Sequence, residues 1–588
     1  MPLDFSCGGY GVCGKCKVRV MGGELTPATP EETGLLSPSE LSDGYRLACQ
    51  ARPLGDVTLH VPAPSMPVVE AAATSGAVPR AFEVAPAVRS CYIELSPPTM
   101  DDPAADSDRL KEGLMARYGL PGLSVSYHIL RDVPSALREA GWKVTALVRG
   151  REIIGLKGGY RPGVVGAAFD VGTTNIEGWL LDLGGGQELA RASAANPQAV
   201  FGADVMSRIS YALMGEEAAL KLQGLLVDAL NGMLKEMAGS AGLSGGAREV
   251  SEVALVGNTA MHHLLLGLPV GQLGVYPFTP ALTRGMEFPA REIGLAVSES
   301  GYAVTLPVIG GFVGADHAAA LLSEGPYNQD AVTLIIDAGT NGEIALGNRR
   351  RLLTASCATG PAFEGASVRF GMRALPGAIY RVMIDPDTGE AAYKVVGRGG
   401  WSQPLIYTGA RGICGSGMVD AVAQMYGAGI IGKNGAFTGG LPGTRVRPDG
   451  PSGPEYVLAW AGETALGRDI TVSACDVRAV LLAKAALWAG TRTLMAIYGV
   501  ERVDRVGLAG AFGSFLDVKN AAALGMLPPC RPEDVRLIGN AAGDGAKAAL
   551  LSVHKRAEAA HAAARAEYVE LSLEPGFNEA FMAAIDLP

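Results

Sequence analysis

Two stretches of the chain, VVGAAFDVGTTNIEGWLLDL (164–183) and AVTLIIDAGTNGEIALGN (331–348), follow the same plan. Each consists of an apolar strand, an Asp-x-Gly-Thr turn and a second apolar strand. Asp170 and Asp337 are the matching carboxylates. Each half continues with a further apolar strand that ends in a glycine turn, VSEVALVGN in the first and VDRVGLAGAFG in the second. The repeat predicts one α/β architecture that the chain uses twice.

The two Asp-x-Gly-Thr turns have the chemistry of phosphate loops. Turn amides and threonine hydroxyls can bind phosphate oxygens, while the carboxylate holds Mg²⁺, often through water. One such turn is also an ordinary β-turn. Two of them in corresponding places predict a nucleotide clamped between two similar domains by facing phosphate loops.

Two further stretches are candidates for this nucleotide site. In GLAGAFGSF (507–515), Gly510 and Gly513 lie where a strand turns into a helix, so an adenine ring or a ribose could lie on the bare backbone. The same glycines also suit close packing of a helix on a strand. In FGADVMSRI (201–209), Asp204 lies near a helix start, where a carboxylate is either a ligand contact or a favourable N-terminal charge.

A cysteine cluster lies near the start of the chain. Cys7, Cys13, Cys16 and Cys49 form a C-x5-C-x2-C loop with a distant fourth cysteine, close to the spacing that holds a [2Fe-2S] cluster in plant-type ferredoxins. The glycines of the loop allow the positive φ and close backbone approach that a cluster needs. Zinc prefers paired C-x2-C knuckles, so the spacing favours [2Fe-2S] over zinc or unliganded cysteines. The other cysteines are predicted to be small buried apolar residues: Cys91, Cys357, Cys414, Cys475 and Cys530.

His262 and His263 are the other pair of potential metal ligands. Neighbouring helical residues point about 100° apart, and no third ligand is obvious nearby. We therefore interpret both histidines as structural.

The composition limits the partners and the location. The chain has 588 residues, of which 48 % are hydrophobic and 18 % charged, and its formal net charge is -10. General binders of nucleic acid or of membrane surfaces need a basic footprint, so we expect neither partner. The sequence shows no basic, apolar leader and no run of about 18 apolar residues. The expected location is the cytoplasm.

The length is too great for a single hydrophobic core, and changes of composition predict the boundaries. The cysteine region ends in a strand, a linker rich in Pro and Ala follows, and the next segment carries the strands and helices of a small α+β domain. The predicted units are the cysteine domain 1–61, the linker 62–87, the small domain 88–162 and the duplicated domain 163–588, with halves at about 163–330 and 331–588.

The turns and the glycine pair resemble the phosphate-1, phosphate-2 and adenosine motifs of the acetate kinase, sugar kinase, heat-shock 70 and actin superfamily. More closely, the cysteine loop, the linker, the small domain and the stretches DAGTNGEI, GPAFEG, GICGSGMVDAVA and GNAAGDGAKAALLS are similar to the reductive activators of corrinoid proteins. The resemblance covers nearly the entire chain. It implies a multidomain α/β fold: a truncated β-grasp ferredoxin-like domain, a small α+β middle domain and a duplicated actin-like and sugar-kinase-like ATPase domain.

This family implies an ATPase-coupled electron-transfer enzyme. It reduces the inactive Co(II) form of a corrinoid cofactor, bound to a partner methyl-transfer protein, to Co(I). The implied cofactors are a [2Fe-2S] cluster, ATP and Mg²⁺. The implied partners are the corrinoid protein, an unidentified low-potential electron donor and a second copy of the chain in a homodimer.

The resemblance also assigns roles to residues of this sequence. Asp170 and Asp337 would be the catalytic carboxylates and would hold Mg²⁺, through water. The cluster ligands would be Cys7, Cys13, Cys16 and Cys49, and the ATP contacts would be Gly172, Thr173, Thr174, Gly339, Thr340, Asn341, Gly510 and Gly513, to which Asp204 is added as a candidate.

The energetics agree with this role. Co(I) is a very strong reductant, whereas a plant-type [2Fe-2S] centre has a potential near roughly -400 mV. A one-electron shortfall of about 100 mV costs about 2.3 kcal/mol, and coupling free energies between bound ligands of about 1 to 3 kcal/mol are ordinary. We therefore expect ATP to act by changing which state of the partner binds tightly, as the nucleotide cleft closes and the cobalt ligation changes.

Three alternatives stay open at this point. A small-molecule kinase with an accessory redox domain would need a carboxylate base near an acceptor hydroxyl, and the sequence does not select among Asp204, Glu343 and Glu364. A non-catalytic redox sensor would bind nucleotide without turnover. The activator of 2-hydroxyacyl-CoA dehydratases uses this fold for low-potential electrons, but its cluster lies at a subunit interface, so the ferredoxin-like loop argues against it.

Only MPLDFS precedes Cys7, whereas a ferredoxin domain normally builds a β-hairpin and a helix before its first cysteine. Either the start was assigned too late or the domain is truncated. A cluster in an open half-sheet would be prone to loss. We therefore expect residues 1–61 to be the least stable part of the chain and to lack the cluster as purified.

Overall fold

The computed structural model describes residues 11, 14, 16–62, 82–202, 204–339, 341–365, 368–438, 445–510 and 515–588. Within these residues, separate sheets form the ferredoxin-like region, the small domain and each half of the duplicated domain.

The ferredoxin-like region is a three-stranded antiparallel sheet with two short helices. Its elements are β1 (Lys17–Gly22), α1 (Pro30–Leu35), α2 (Pro38–Ser42), β2 (Tyr45–Leu47) and β3 (Thr58–His60). The central strand is β1, which pairs with both other strands. Each helix begins at a capping box followed by a proline, Thr29 with Glu32 and Ser37 with Glu40. These local signals start both helices without help from the rest of the chain.

The small domain is a four-stranded sheet with the strand order β4-β6-β7-β5. Its elements are β4 (Val88–Glu94), α3 (Asp106–Tyr118), β5 (Ser124–Val125), α4 (Tyr127–Leu130), α5 (Val133–Glu139), β6 (Lys143–Arg149) and β7 (Glu152–Gly158). The helices α3 and α5 contribute Leu110, Leu114 and Leu137 to the same hydrophobic core as the sheet. The small domain also contributes Val88, Leu147 and Ile154 to a second core, which it shares with the duplicated domain.

The first half of the duplicated domain contains ten strands and α-helices within its described residues. They are β8 (Val165–Val171), β9 (Asn175–Asp182), β10 (Glu188–Ala195), α6 (Val205–Ala212), α7 (Glu216–Ser240), β11 (Val250–Gly257), α8 (Thr259–Leu265), β12 (Glu287–Pro289), β13 (Tyr302–Thr305) and α9 (Ala315–Glu324).

The second half has the same framework with insertions. Its elements are β14 (Thr333–Ala338), β15 (Gly342–Gly347), β16 (Leu352–Cys357), β17 (Ala378–Ile384), β18 (Ala391–Val395), β19 (Gly412–Ile413), α10 (Gly415–Gly427), β20 (Val446–Gly450), β21 (Gly453–Ala459), β22 (Ile470–Ser473), α11 (Ala474–Tyr498), β23 (Arg505–Ala509), α12 (Val518–Ala523), β24 (Val535–Gly539), α13 (Ala541–Leu551), α14 (Val553–Arg565), β25 (Ala566–Tyr568) and α15 (Phe577–Ala583).

Both halves arrange five strands in the same order, β10-β9-β8-β11-β13 in the first and β16-β15-β14-β23-β24 in the second. In each sheet the first three strands pair in antiparallel fashion. The fourth strand pairs parallel to the third, and the fifth pairs parallel to the fourth. The strand β8 is buried along almost its whole length, as expected for a strand that is covered on both faces. The duplication predicted from the two Asp-x-Gly-Thr hairpins is therefore confirmed.

Helix α11 is long and apolar enough to cross a membrane by length and composition, but 67 % of its most apolar window is buried inside the protein. Its residues Val480, Leu487 and Leu494 belong to the main core of the second half. Packing against this core accounts for its apolar composition.

A buried network of ion pairs joins the small domain to the duplicated domain. Glu252, on β11, is fully buried and accepts hydrogen bonds from Arg149 Nε at 3.1 Å and from Arg556 Nη1 at 3.2 Å and Nη2. Glu287, on β12, accepts from the same two arginines. Two arginines face two glutamates, so every ionised group of the network is paired with an opposite charge. The network joins segments that lie far apart in the chain.

Replacement of Glu252 by glutamine is expected to lower the free energy of unfolding by about 3 kcal/mol, because the buried Arg556 keeps its charge and loses its closest partner. Urea unfolding of the full chain measures the change. The control is Glu299→Gln, which removes the exposed partner of Arg248 and should leave the stability nearly unchanged. Equal effects of the two substitutions would contradict the importance of the network.

Candidate functional site

The first phosphate turn follows β8, where Asp170 lies directly opposite Glu177 of β9. Asn540, the N-cap residue of α13, contacts both carboxylates. Its Nδ2 lies 3.0 Å from Asp170 Oδ2 and 3.1 Å from Glu177 Oε2. Asn540 belongs to the second half of the duplicated domain, so this contact joins the two halves at the first turn.

Buried side chains hold the first turn in place. Arg208, which is fully buried on α6, donates from Nη2 to the carbonyl oxygen of Thr173. Asn258, the N-cap residue of α8, donates from Nδ2 to Thr173 Oγ1 at 2.8 Å. This leaves the Thr173 hydroxyl hydrogen to donate to a phosphate oxygen. At Gly172 a Cβ atom would lie 2.7 Å from the Asn175 carbonyl oxygen, so the tight turn requires glycine there.

The second turn repeats this arrangement. Asp337 lies at the end of β14, opposite Glu343 of β15, and the Gly339 amide donates to the Asn341 carbonyl oxygen at 3.0 Å. Gly510, directly after β23, has a φ of +84°, and a Cβ atom there would lie 3.0 Å from Asp337 Oδ1. The structure therefore brings Gly510 against the second phosphate turn. Its predicted contact with the adenosine stays a prediction.

A third aspartate of the cleft, Asp316, comes from the first turn of α9. Burial raises the pKa of Asp170 well above its ordinary value, and the negative charges of Asp316, Glu177 and Asp337 raise it further. The hydrogen bond from Asn540 opposes this shift. Burial also raises the pKa of Asp316 to about 6. The charges of these carboxylates therefore act on one another, and a cation between them would relieve the repulsion.

This donor set fits Mg²⁺ that arrives with a nucleotide. Magnesium usually keeps several waters and binds through one or two carboxylates plus substrate phosphates. Across the part of the chain that the structure describes, no three His, Cys, Asp or Glu side chains form a group that could hold a metal ion directly. Asp170 and Asp337 would therefore hold the ion through water and phosphate oxygens.

The cysteine loop fits a cluster in the part that is described. Gly11 and Gly14 have φ values of +70° and +67°, and a Cβ atom at Gly11 would lie 2.8 Å from the Gln50 side chain. Cys16 is buried and Cys49 half-buried. Gln50 Nε2 donates to Cys49 Sγ at 3.6 Å. Hydrogen bonds to the sulfurs of an iron-sulfur cluster help to set its reduction potential.

Some predicted site residues lie outside the described residues, and their roles stay predictions: Cys7, Cys13, Thr340 and Gly513. Asp204 is the N-cap residue of α6, where Oδ1 accepts from the Ser207 amide and Oδ2 from the Ser207 hydroxyl, both at 2.8 Å. This cap accounts for the aspartate, and its contact with ATP also stays a prediction.

The structure places His262 and His263 in the core, in agreement with a structural role. His263 Nδ1 donates to the Thr259 carbonyl oxygen at 2.8 Å, and its Nε2 accepts from the Ala281 amide at 2.9 Å. Burial lowers the pKa of His262 to about 3. Both rings are therefore neutral at physiological pH.

The prediction for the scattered cysteines is right for Cys91, Cys357 and Cys414, which are buried. It is wrong for Cys475, which is exposed, and only partly right for Cys530, which is half-buried. Cys475 lies in the first turn of the amphipathic helix α11 on its solvent side, and this orientation depends on how the helix packs.

Sequence reasoning missed several cleft residues. Glu177 follows Asp170 by seven positions, much as Glu343, which the sequence already offered as a candidate base, follows Asp337 by six. A comparison of the two repeats could therefore have found Glu177. Asp316 lies in the stretch GGFVGADHAA, which carries no motif or periodicity that predicts a ligand. Only the position of α9 brings it to the cleft.

The chain matches known families along its length. Residues 1–54 match the 2Fe-2S iron-sulfur cluster binding domain. Residues 77–163 match the RACo linker region and residues 165–329 the RACo middle region. Residues 331–588 match the C-terminal domain of RACo, the ASKHA domain.

Individual relatives agree with these matches. The chain is 32 % identical to the corrinoid activation enzyme RamQ of Eubacterium limosum, over 99 % of this chain and 93 % of that protein. It is 27 % identical to the Co(II) methylated amine-specific corrinoid protein reductase of Methanosarcina barkeri, over 62 % of this chain and 66 % of that protein. A solved structure of a reductive activator for corrinoid,iron-sulfur protein superposes with a TM-score of 0.80 and 34 % identity, over 99 % of this chain and 93 % of that one.

The fold and these matches define an ATPase of the acetate kinase, sugar kinase, heat-shock 70 and actin class that carries a 2Fe-2S domain. More particularly, the chain belongs to the family of reductive activators of corrinoid proteins. The predicted family, fold class and enzyme class are confirmed. So are the [2Fe-2S] cluster, ATP and Mg²⁺ as its cofactors.

Proposed function

We propose that this chain uses ATP to drive the transfer of one electron from its [2Fe-2S] cluster to a corrinoid protein of a methyl-transfer system, and so reduces Co(II) to Co(I). The activities named for the relatives in Eubacterium limosum and Methanosarcina barkeri support this proposal. The observation that carries it is the cleft between the duplicated halves, in a chain that also carries a ferredoxin-like cysteine loop. The cleft carboxylates are Asp170, Glu177, Asp316 and Asp337.

In this proposal the two turns hold the phosphates of ATP. Asp170 and Asp337 orient the Mg²⁺ through water, and the Thr173 hydroxyl donates to a phosphate oxygen. The remaining predicted contacts of the first turn are Gly172 and Thr174, and those of the second turn are Gly339, Thr340 and Asn341. Arg208 and Asn258 keep the first turn in its conformation, so little ordering is needed when ATP binds.

Asp316 is the candidate general base for ATP hydrolysis. The amide of His317 donates to Asp316 Oδ1 at 2.7 Å, which fixes the carboxylate. Burial raises its pKa to about 6, and a base works best when its pKa lies near the operating pH. In the deprotonated form Asp316 can accept a proton from the water that attacks the γ-phosphate.

The cluster supplies a one-electron carrier when it is bound. The thiolates of Cys7, Cys13, Cys16 and Cys49 would hold it. The chain contributes the conformation of the loop, since Gly11 and Gly14 adopt positive φ, and a hydrogen bond from Gln50 to the Cys49 sulfur.

The coupling between ATP and electron transfer requires two states that ATP binds with different affinity. Contacts between the halves provide a basis for such states. Asn540 of the second half donates to Asp170 of the first, and Arg373 of the second half donates from Nη2 to the Thr174 carbonyl oxygen at 2.9 Å. Nucleotide phosphates would meet these same groups, so the halves would move as ATP enters.

We further propose that the protein works in the cytoplasm as a homodimer and receives electrons from a low-potential donor. The buried position of the apolar helix α11 supports a role away from the membrane. The net charge of -10 supports a protein partner rather than nucleic acid.

The test is anaerobic reduction of a candidate corrinoid protein by the chemically reduced chain, with and without Mg-ATP. We expect ATP to accelerate the reduction by roughly 5- to 150-fold, the range of ordinary coupling free energies, and Asp337→Ala to remove this stimulation. Asp385→Asn, which changes an exposed turn carboxylate, should retain it. Reduction that is indifferent to ATP and to Asp337→Ala would refute the coupling, and transfer of phosphate to a metabolite would favour a kinase.

A further inference from the structure

Arg468 of the second half of the duplicated domain contacts the ferredoxin-like region. Arg468, in the loop before β22, donates from Nη1 to the carbonyl oxygen of Leu35 at 2.8 Å. Leu35 is the last residue of α1. The other terminal nitrogen, Nη2, faces the cysteine loop, because a Cβ atom at Gly14 would lie only 3.2 Å from it. One guanidinium therefore lies against both α1 and Gly14.

The same guanidinium also contacts the core of the second half. Its central carbon lies 5.4 Å from the centre of the Phe370 ring, a distance at which a cation and an aromatic face attract each other. The backbone around Phe370 is fixed, since the Ile413 amide donates to the Phe370 carbonyl oxygen at 2.8 Å and the Met372 amide donates to the Ile413 carbonyl oxygen at 2.9 Å. Residues 368–373 should therefore move as one unit.

This segment ends at the nucleotide cleft. Arg373 donates from Nη2 to the Thr174 carbonyl oxygen of the first phosphate turn at 2.9 Å. A guanidinium binds phosphate more strongly than it binds a neutral carbonyl, since the bond is charge-assisted and can be bidentate. Phosphates bound in the first turn would therefore compete with Thr174 for Arg373, and a shift of Arg373 would displace the segment that carries Phe370.

The described residues of the cysteine loop are buried in the docked arrangement. Gly14 is buried beside Arg468, and Cys16 is buried as well. Leu35 and Gly14 therefore face the duplicated domain in this state, and release from Arg468 would expose them.

We propose that Arg468 is a positioning residue that docks the ferredoxin-like region on the second half of the duplicated domain, and that Arg373 couples this dock to the first phosphate turn. Nucleotide draws Arg373 towards the phosphates, shifts residues 368–373, and weakens the contact of Arg468 with Leu35. The inference rests on the proposed function, because it assigns ATP a part in the timing of electron transfer.

Amide hydrogen exchange of the full-length, cluster-loaded protein tests this proposal, with and without Mg²⁺ and a non-hydrolysable ATP analogue. The peptide that contains α1 reports on the dock, because the Leu36 amide at its end donates to the Glu32 carbonyl oxygen at 2.8 Å. In the wild type, the analogue is expected to speed exchange of this peptide by roughly 5- to 150-fold.

Two variants separate the dock from the coupling. Arg468→Met is expected to exchange at the fast rate without nucleotide, because the dock is lost. In Arg373→Met the α1 peptide is expected to exchange at the slow rate with or without nucleotide. Arg468 still contacts Leu35 in this variant, but the contact of residue 373 with the first phosphate turn is lost. Arg478→Met changes an exposed arginine of α11 in the same half and should respond as the wild type does.

Unchanged exchange of the α1 peptide in Arg468→Met would contradict the proposed role of Arg468 in docking. A wild-type response of this peptide to nucleotide in Arg373→Met would contradict the proposed role of Arg373 in coupling. No corrinoid protein is present in this measurement. A failure here is therefore distinct from a failure of ATP-dependent corrinoid reduction, which would count against the proposed function itself.

Discussion

A Cys49→Ala variant is expected to retain no [2Fe-2S] cluster and to transfer no electron to a corrinoid protein, while it still binds and hydrolyses ATP. Such a cluster is held by four thiolates, and alanine supplies no donor atom, whereas serine could replace the sulfur by oxygen. Cys49 follows β2 at the edge of the small ferredoxin-like core. Its loss should therefore leave the nucleotide cleft of the duplicated domain intact.

After anaerobic reconstitution of the cluster, the iron content, the visible spectrum and the electron paramagnetic resonance of the reduced protein measure the first part of this prediction. The matched control is Cys475→Ala, because Cys475 is exposed and unbridged on α11. The control should keep the iron, the spectrum and the corrinoid reduction of the wild type. A Cys49→Ala protein with a full complement of iron would show that the fourth ligand is another residue.

An Asp316→Asn variant is expected to hydrolyse ATP about 10²- to 10⁴-fold more slowly, the range that general bases contribute, with little change in ATP binding. Asparagine keeps the shape of the side chain and an oxygen for the hydrogen bond from the His317 amide. It cannot accept a proton. Steady-state phosphate release measures the rate, and equilibrium binding of a fluorescent ATP analogue measures the affinity.

The pH dependence gives a second readout of Asp316. Burial raises its pKa to about 6, and a base acts in its deprotonated form, so kcat/KM of the wild type should fall as the pH drops through about 6. In Asp316→Asn the low residual rate should lose this acid limb. The control is Asp385→Asn, which should retain both the rate and the limb. A variant that keeps the wild-type rate would exclude Asp316 as the base.

The most reliable inferences from the sequence concern features that are local in the chain. The hairpins around Asp170 and Asp337 form because each strand, turn and return strand are contiguous, and the structure pairs them in register. The capping boxes at Thr29 and Ser37 start their helices in the same local way. The cysteine spacing likewise identifies a cluster loop, because three of its four ligands are neighbours in the sequence.

The assembly of the cleft was not predictable in the same way. Asn540 reaches Asp170 across a sequence separation of 370 residues, and Arg373 reaches Thr174 across 199. Arg468 reaches Leu35 across 433. No local pattern encodes such pairs, because the partners meet only after two sheets and their helices have packed.

The sequence by itself determined the class of this protein, since repeated phosphate turns and a ferredoxin-like cysteine loop are short motifs whose chemistry depends on neighbouring residues. Only the tertiary structure decided which carboxylates meet in the cleft and which distant segments Arg373 and Arg468 contact. Asp316 acquires its raised pKa from burial, and Arg373 and Arg468 acquire their partners from distant segments. Both properties arise from packing, which a single strand, turn or helix does not contain.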